Sequence, residues 1–304
     1  MSEIERDVER CGFVALLGAP NAGKSTLINA LVGSKVSIVT PKVQTTRARI
    51  TAIAMHGQAQ IVFVDTPGIF NKTKQRLEKA MVAAAWSGAE DADLRVLLVD
   101  AERGIDGNTR GIIEGMKKAK MKAVLVLNKI DLVARESLLA LADNLDKEGV
   151  FTEVFMLSAL QGDGVADLLA AVAGKIPEGP WHYPKDQLAD ISERLLAAEI
   201  TREKLFLQLH QELPYAATVE TEAWKEVKGG ALRIEQVIYV RRGTQKAIVL
   251  GKGGQQIKQI GAEARAEMME IFGVTVHLFL FVKVREKWQD DPERYREMGL
   301  GYYR

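Results

Sequence analysis

A chain of 304 residues exceeds the usual reach of one hydrophobic core, which predicts two domains, neither small enough to need disulfide or metal staples. With 47 % apolar residues and 41 Lys plus Arg against 40 Asp plus Glu, this is an ordinary globular composition without a global basic excess, so any polyanion site must be local. The single cysteine, Cys11, cannot form an internal disulfide, which suits a reducing compartment and an inert, packed thiol, and no run approaches the roughly 18 apolar residues of a membrane span.

The N-terminal stretch MSEIERDVER is acidic and lacks the apolar core of a secretory signal, so the cytoplasm is the expected setting. From residue 13 to about 176, short runs rich in Val, Leu and Ile alternate with longer helical patterns. The runs at 13–17, 61–64, 96–99, 123–127 and 154–157 are continuously apolar, as strands buried on both faces are, and the alternation predicts a doubly wound, mainly parallel α/β domain. Such sheets bind ligands at the carboxyl ends of their strands. Chemistry is therefore expected in the residues that follow each run.

After the first run comes Gly18-Ala19-Pro20-Asn21-Ala22-Gly23-Lys24-Ser25, followed by Thr26, which satisfies the phosphate-loop pattern between a strand and an amphipathic helix. Gly18 and Gly23 let backbone N–H groups and the helix N-terminus face phosphate oxygens, Lys24 can reach the β- and γ-phosphates, and Ser25 can hold Mg²⁺. The loop Pro41-Lys-Val-Gln-Thr-Thr-Arg47 lies where a first switch is expected, and its Thr-Thr-Arg pattern resembles that of relatives in which the second threonine, here Thr46 with Thr45 as the alternative, senses Mg²⁺. Asp65-Thr66-Pro67-Gly68 follows the second run, where a second Mg²⁺-linked carboxylate and a γ-phosphate-sensing glycine belong. Asn128-Lys129-Ile130-Asp131 follows the fourth; a carboxylate at Asp131 can accept from both the ring N–H and the exocyclic amino group of guanine, a donor pair that adenine lacks on that edge. Ser158-Ala159-Leu160 follows the last run, where a backbone N–H can meet the guanine O6. The set names GTP.

These motifs together resemble the G domain of the translation-factor-related GTPases, of the TrmE/Era type. Two features set the chain apart from small signalling GTPases. Ile69 stands where those proteins carry the glutamine that orients the attacking water, so water must be positioned otherwise. Asn21 lies in the phosphate loop, and the resemblance implies that an asparagine there helps hold K⁺ beside the phosphates, supplying charge in place of an arginine finger. On this reading Lys24, Asn21, Thr46 and Gly68 carry catalysis.

The stretch Ile176-Pro-Glu-Gly-Pro-Trp-His-Tyr-Pro184 reads as a linker. A helical pattern follows at 192–211, then strand-like segments near 216–224, 232–240 and 276–285, with helical spacing at 255–272 and a helix start at Asp291-Pro292. Gly251-Lys252-Gly253-Gly254, read as joining an apolar strand end to a helix, resembles the GXXG loop of KH domains of the type found in ribosomal proteins, which clamps single-stranded RNA. Between Lys225 and Lys287 twelve Lys/Arg face six Glu, so a neutral protein carries a locally positive module. Lys258 on the following helix, and Arg241 and Arg242 ahead of the loop, are candidate phosphate contacts. Phe279 and Phe281 can either stack bases or pack the sheet.

Over essentially the whole chain, the order of G domain, Pro-rich linker, Glu199-Ile-Thr-Arg-Glu-Lys204 through Leu213-Pro-Tyr215, and KH loop is similar to the Era-type GTPases. The resemblance implies a G domain at 1–178, a linker at 179–190 and a type II KH domain with a C-terminal helix at 191–304. It further implies a monomer that binds and hydrolyses GTP to GDP, binds the 3′ region of 16S ribosomal RNA, assists maturation of the 30S subunit, and associates peripherally with the cell membrane. An RNA-binding module with a merely structural nucleotide site is the competing reading; a small-molecule phosphotransferase leaves Asn128-Lys-Ile-Asp131 and the KH loop unexplained.

Overall fold

The computed structural model describes residues 8–42, 45–47, 50–70, 76–209 and 213–302. Residues 43 and 44 of the first-switch loop, and 210 and 211 at the end of the expected helix 192–211, lie outside the described residues. Contacts divide the chain into two units: Met1–Ser37, Thr46–Asp190 and Tyr295–Arg304 form the first, and Ile38–Thr45 with Ile191–Arg294 the second.

In the first unit, β1 (Arg10–Gly18), β2 (Ile50–His56), β3 (Ala59–Asp65), β4 (Leu94–Asp100), β5 (Ala123–Asn128), β6 (Phe151–Leu157) and β7 (Ala189–Asp190) form one sheet in the order β6-β5-β4-β1-β3-β2-β7. It is parallel apart from β2 against β3 and β7 against β2. β7 falls within the stretch expected as a linker. The helices α1 (Lys24–Val32), α2 (Arg76–Asp91), α3 (Gly107–Lys118), α4 (Arg135–Asp146) and α5 (Val165–Ala173) cover both faces.

The period-2 geometry of β1 explains this double cover. Val14 and Leu16 join Leu27 and Ile28 of α1 and Leu168 of α5 in one core; Ala15 and Leu17 join Ala85 of α2, Ile112 of α3 and Leu145 of α4 in the other. With neither face in water, the central strands carry no polar alternation, and β3 and β5 are buried throughout. Register then lines up the carboxyl ends: Leu16 of β1 pairs with Asp65 of β3, and Asp100 of β4 with Asn128 of β5.

The second unit holds α6 (Glu193–Gln208), β8 (Ala217–Val227), β9 (Ala231–Val240), α7 (Gly243–Leu250), α8 (Gln255–Phe272) and β10 (Val276–Val284). Its sheet order is β10-β9-β8, with β9 and β10 parallel and β8 antiparallel to β9. Ser192 caps α6 by accepting from Leu195 N at 3.2 Å. Ala198 and Leu205 of α6, Ile238 of β9, Val249 of α7, Ile260 of α8 and Val282 of β10 share its core. A last helix, α9 (Pro292–Glu297), begins with Pro at its first position, and Asp291 Oδ1 accepts from Glu293 N at 3.2 Å.

One expectation is corrected here. Ile248-Val-Leu250 is the end of helix α7 and not a strand end. Gln245 Oε1 accepts from the N–H groups of Arg241 and Arg242 at 2.9 and 3.0 Å, which ties off the helix start, while only Val249 is buried. A helix that buries one side chain leaves no apolar period to read.

Candidate functional site

The phosphate loop follows directly from β1. Gly23 takes φ 100°, and a Cβ there would lie 2.2 Å from Asn128 Nδ2, so this position requires glycine both for its backbone and for the side chain that crosses it. Lys24, the first residue of α1, is buried, and its Nζ donates to Gly18 O at 3.0 Å and Ala19 O at 3.2 Å. Burial pushes its ammonium down to about 8, with Asp65 pulling the other way. A triphosphate would restore the preference for the charged form. Ala19, Pro20 and Ala22 are buried in the loop wall, Thr26 is half-buried on α1, and Asn21 sits at φ 65° on the outer turn. Gly68 passes so close to the loop that its Cβ would meet Pro20 Cα at 3.0 Å.

Three hydroxyls converge on one carboxylate beside this loop. Asp65 Oδ2 accepts from Ser37 Oγ at 2.9 Å, Ser25 Oγ at 3.2 Å and Thr46 Oγ1 at 3.3 Å, and Ser25 Oγ lies 2.9 Å from Thr46 Oγ1. Burial raises the Asp65 carboxyl, opposed by Lys24 and by these hydroxyls. Its second oxygen, Oδ1, is buried without a hydrogen-bond partner. Mg²⁺ asks for one or two carboxylate or hydroxyl oxygens and takes the rest of its shell from phosphate and water. Ser25, Thr46 and Asp65 fit that demand, and an orphaned buried carboxylate oxygen is what such an ion or its water would satisfy. Thr45, by contrast, bonds Thr40 Oγ1 at 2.7 Å and Lys42 O at 2.6 Å. Thr66 Oγ1 donates to Leu16 O at 2.6 Å, Pro67 is buried, and Ile69 packs in the core with Leu17 and Leu97, so position 69 offers no group to a water.

The candidate base site is built around Asn128. Its Nδ2 donates to Ala22 O at 2.8 Å, and its Oδ1 accepts from Ala159 N at 3.0 Å, so one amide ties the phosphate loop to the loop after β6. Lys129 takes φ 65°, after which a helical turn, Ile130–Leu132, presents Asp131 in solvent. The backbone N–H expected to meet guanine O6 is more constrained than the sequence implied. Ser158 N donates to Asp163 O at 3.0 Å and Ala159 N to Asn128, so Ser158 has no amide to offer and that of Ala159 would be shared; Leu160 is exposed. Asp100, missed by the sequence reading, is buried beside this group, with its Oδ2 accepting from Lys129 Nζ at 2.5 Å.

In the second unit, Gly251, Lys252, Gly253 and Gly254 form the sharp turn between α7 and α8. Gly251, at φ 71°, would bring a Cβ within 2.6 Å of Gln256 Cβ, so the two helices meet too closely for a side chain. Lys252 and Gly253 are exposed, as are Arg241 and Arg242 at the head of α7. An open groove lies between α8 and β10, lined by Ile257, Lys258, Gly261 and Arg265 on one side and by Leu278 to Phe281 on the other. Phe279 and Phe281 do not pack the sheet core: they are 41 % and 49 % exposed, and the Arg233 guanidinium lies 4.6 Å from the Phe279 ring centroid. Alternation along β10 turns Val276 and Val282 inward and the two phenylalanines out.

The segment Ile38–Thr45 is held within the second unit by buried charge. Val39 N donates to Glu203 Oε1 at 2.8 Å, Lys42 Nζ donates to Phe206 O and Leu209 O, and Arg202, itself paired with Glu199, donates to Thr45 O.

Two family models and a set of relatives match the chain. A family model described as 50S ribosome-binding GTPase matches residues 13–129, and one described as KH domain matches residues 212–289. The chain is 62 % identical over 293 residues to GTPase Era of Rhizobium meliloti (strain 1021), covering 96 % of this chain and 93 % of that protein. It is 61 % identical over 302 residues to GTPase Era of Afipia carboxidovorans, covering 99 % and 98 %. Among solved structures, a single-residue variant of Aquifex aeolicus Era bound to GDP·AlF4⁻ matches at a TM-score of 0.90 and 38 % identity, over 95 % of this chain and 99 % of that one. Era in complex with MgGDPNP and nucleotides 1506–1542 of 16S ribosomal RNA matches at 0.90 and 38 %, over 96 % and 99 %. A P-loop sheet with its nucleotide motifs at the strand ends, a KH unit following it in the chain, and such identity along nearly the whole length leave one conclusion: the chain belongs to the Era family of GTPases.

Proposed function

We propose that this GTPase binds the 3′ region of 16S ribosomal RNA through its KH groove and assists assembly of the 30S subunit, with GTP hydrolysis as the timing step. The observation that carries this reading is the presence, in one chain, of the guanine-nucleotide motifs at the strand ends and of a GXXG turn that leads into α8, whose groove with β10 is edged by Lys258, Arg265 and two exposed phenylalanines. Glycines at the turn admit phosphates to the backbone, cations neutralise them, and exposed rings stack unpaired bases. An Era structure holding both MgGDPNP and a 16S ribosomal RNA segment supports the pairing of ligands.

Mg²⁺ is the expected metal; Ser25, Thr46 and Asp65 would hold it, and it would supply positive charge to stabilise the phosphates during hydrolysis. We assign K⁺ to the vicinity of Asn21. Faster hydrolysis in KCl than in NaCl is expected, and equal rates would dismiss the assignment. The link between nucleotide and RNA rests on the first switch: Thr46 is bonded to Thr45, whose carbonyl and preceding residues are gripped by α6. RNA affinity should therefore differ between the GTP-analogue and GDP forms. A cytoplasmic monomer and peripheral membrane contact also belong to this reading, supported by the resemblance alone.

The test is RNA crosslinking in cells with the wild-type chain and Gly253→Asp, beside multiple-turnover GTP hydrolysis in vitro. Loss of one defined ribosomal RNA contact in the variant, with hydrolysis retained, is the expected result. An unchanged, diffuse crosslink pattern would overturn the RNA assignment, and an absence of turnover would favour a merely structural nucleotide.

A further inference from the structure

We propose that Asp100 is a positioning residue of the guanine site, acting through Lys129; the proposal rests on the reading of residues 128–131 as the base-binding motif. Asp100 closes β4 and pairs in register with Asn128, the last residue of β5, whose carbonyl accepts from Ala101 N at 2.9 Å. Its two oxygens have separate partners. Oδ1 accepts from Glu102 N at 3.0 Å and Arg103 N at 3.4 Å, which fixes the turn after β4. Oδ2 faces Lys129 Nζ at 2.5 Å, with the Arg103 guanidinium farther off at 3.6 Å.

Burial separates this pair from an ordinary surface ion pair. The Asp100 side chain is 6 % exposed and that of Lys129 29 %, so the carboxylate is desolvated and depends on its cation. Lys129 is also one of three non-glycine residues with positive φ among the described residues, a conformation that side chains of its type rarely adopt. The backbone bend at Lys129 starts the turn in which Leu132 N bonds Lys129 O at 3.1 Å and from which Asp131 projects. A carboxylate that anchors the Lys129 ammonium therefore holds the bend that aims Asp131 at the base. No motif in the sequence marks it.

The experiment measures GDP affinity by fluorescent-nucleotide titration, and kcat and KM for GTP, in the full-length protein. Asp100→Asn keeps an acceptor for the Glu102 and Arg103 amides and removes the charge that faces Lys129 and, farther off, the half-exposed Arg103 guanidinium. Its Kd for GDP and its KM should rise about tenfold with kcat unchanged, a change of about 1.4 kcal/mol that reaches the base only through the Lys129 bend. In a Lys129→Met background the same substitution should change Kd less than twofold, because its route to the base has been removed. A Kd within twofold of wild type in Asp100→Asn would overturn the proposal, as would an equal loss in both backgrounds, which would mark a role in the turn alone. Wild-type protein that failed to bind GDP would instead overturn the base assignment itself and this proposal with it.

Discussion

Asn128 and Asp131 belong to one four-residue motif, and the structure separates their work. Replacing Asn128 by Ala removes the donor to Ala22 O at 2.8 Å and the acceptor of Ala159 N at 3.0 Å. Asn128 is 2 % exposed, so both partners are left in a site where water has little access. An unsatisfied buried group costs about 1–3 kcal/mol, and the two together should cost about 2–4 kcal/mol in nucleotide-free protein. For a unit of this size that is a fall of about 5–15 °C in melting temperature. Asp131 is exposed, and Asp131→Asn should leave the nucleotide-free melting temperature within about 2 °C while moving preference from guanosine to xanthosine triphosphate. Scanning calorimetry without nucleotide, followed by competition between the two triphosphates, reads both effects. If Asn128→Ala melted like wild type and lost only nucleotide affinity, the tie between the two loops would be absent from the free protein and the reasoning would fail.

Thr46→Ala should lower kcat/KM for GTP by roughly 10- to 100-fold with GDP affinity kept, the scale seen when a group supporting a metal site is removed. Thr45→Ala, which loses bonds only to Thr40 and Lys42, should stay within about threefold in kcat/KM in the same steady-state assay, since nothing it touches reaches the phosphates. Burial raises the Cys11 thiol above its ordinary range, and the sulfur donates toward Gln60 Oε1 at 3.6 Å. A raised thiol pKa means less thiolate at a given pH, so native protein at pH 8 should react slowly with iodoacetamide and urea-unfolded protein quickly; equal rates would contradict the packed position.

The phosphate loop, Asp65-Thr-Pro-Gly68, Asn128-Lys-Ile-Asp131 and the GXXG turn were legible because each is a short backbone device at a strand or helix end, with glycine or a carboxylate at fixed spacing. What escaped was longer-range or less periodic. Strand β2 mixes alanine and threonine into its apolar positions and runs antiparallel, so it lacks the Val/Leu/Ile density of its neighbours. Helix α7 ends in Ile-Val-Leu, whose two β-branched residues favour strand, while the cap from Gln245 and the turn that follows favour helix. Asp100 looked like one more polar residue after a strand; a carboxylate ending the strand beside the base-reading strand was the available signal.

The hold on Ile38–Thr45 shows why such features resist reading from sequence. Val39 and Glu203 meet across 164 residues, and nothing local distinguishes Glu199-Ile-Thr-Arg-Glu-Lys204 from an ordinary solvated helix face with i,i+3 charge pairs. In the structure Glu199, Arg202 and Glu203 are buried. Buried charges without partners are too costly to persist; here Glu199 and Arg202 pair with each other, Glu203 pairs with Lys204, and the backbone of residues 39 and 45 completes their hydrogen bonding. Release of that segment would take the Val39 N–H from Glu203 and the Thr45 carbonyl from Arg202, leaving each ion one hydrogen bond short. The segment Ile38–Thr45 is thus held to α6 by hydrogen bonds to charged groups that are themselves buried, and such bonds are costly to leave unmade.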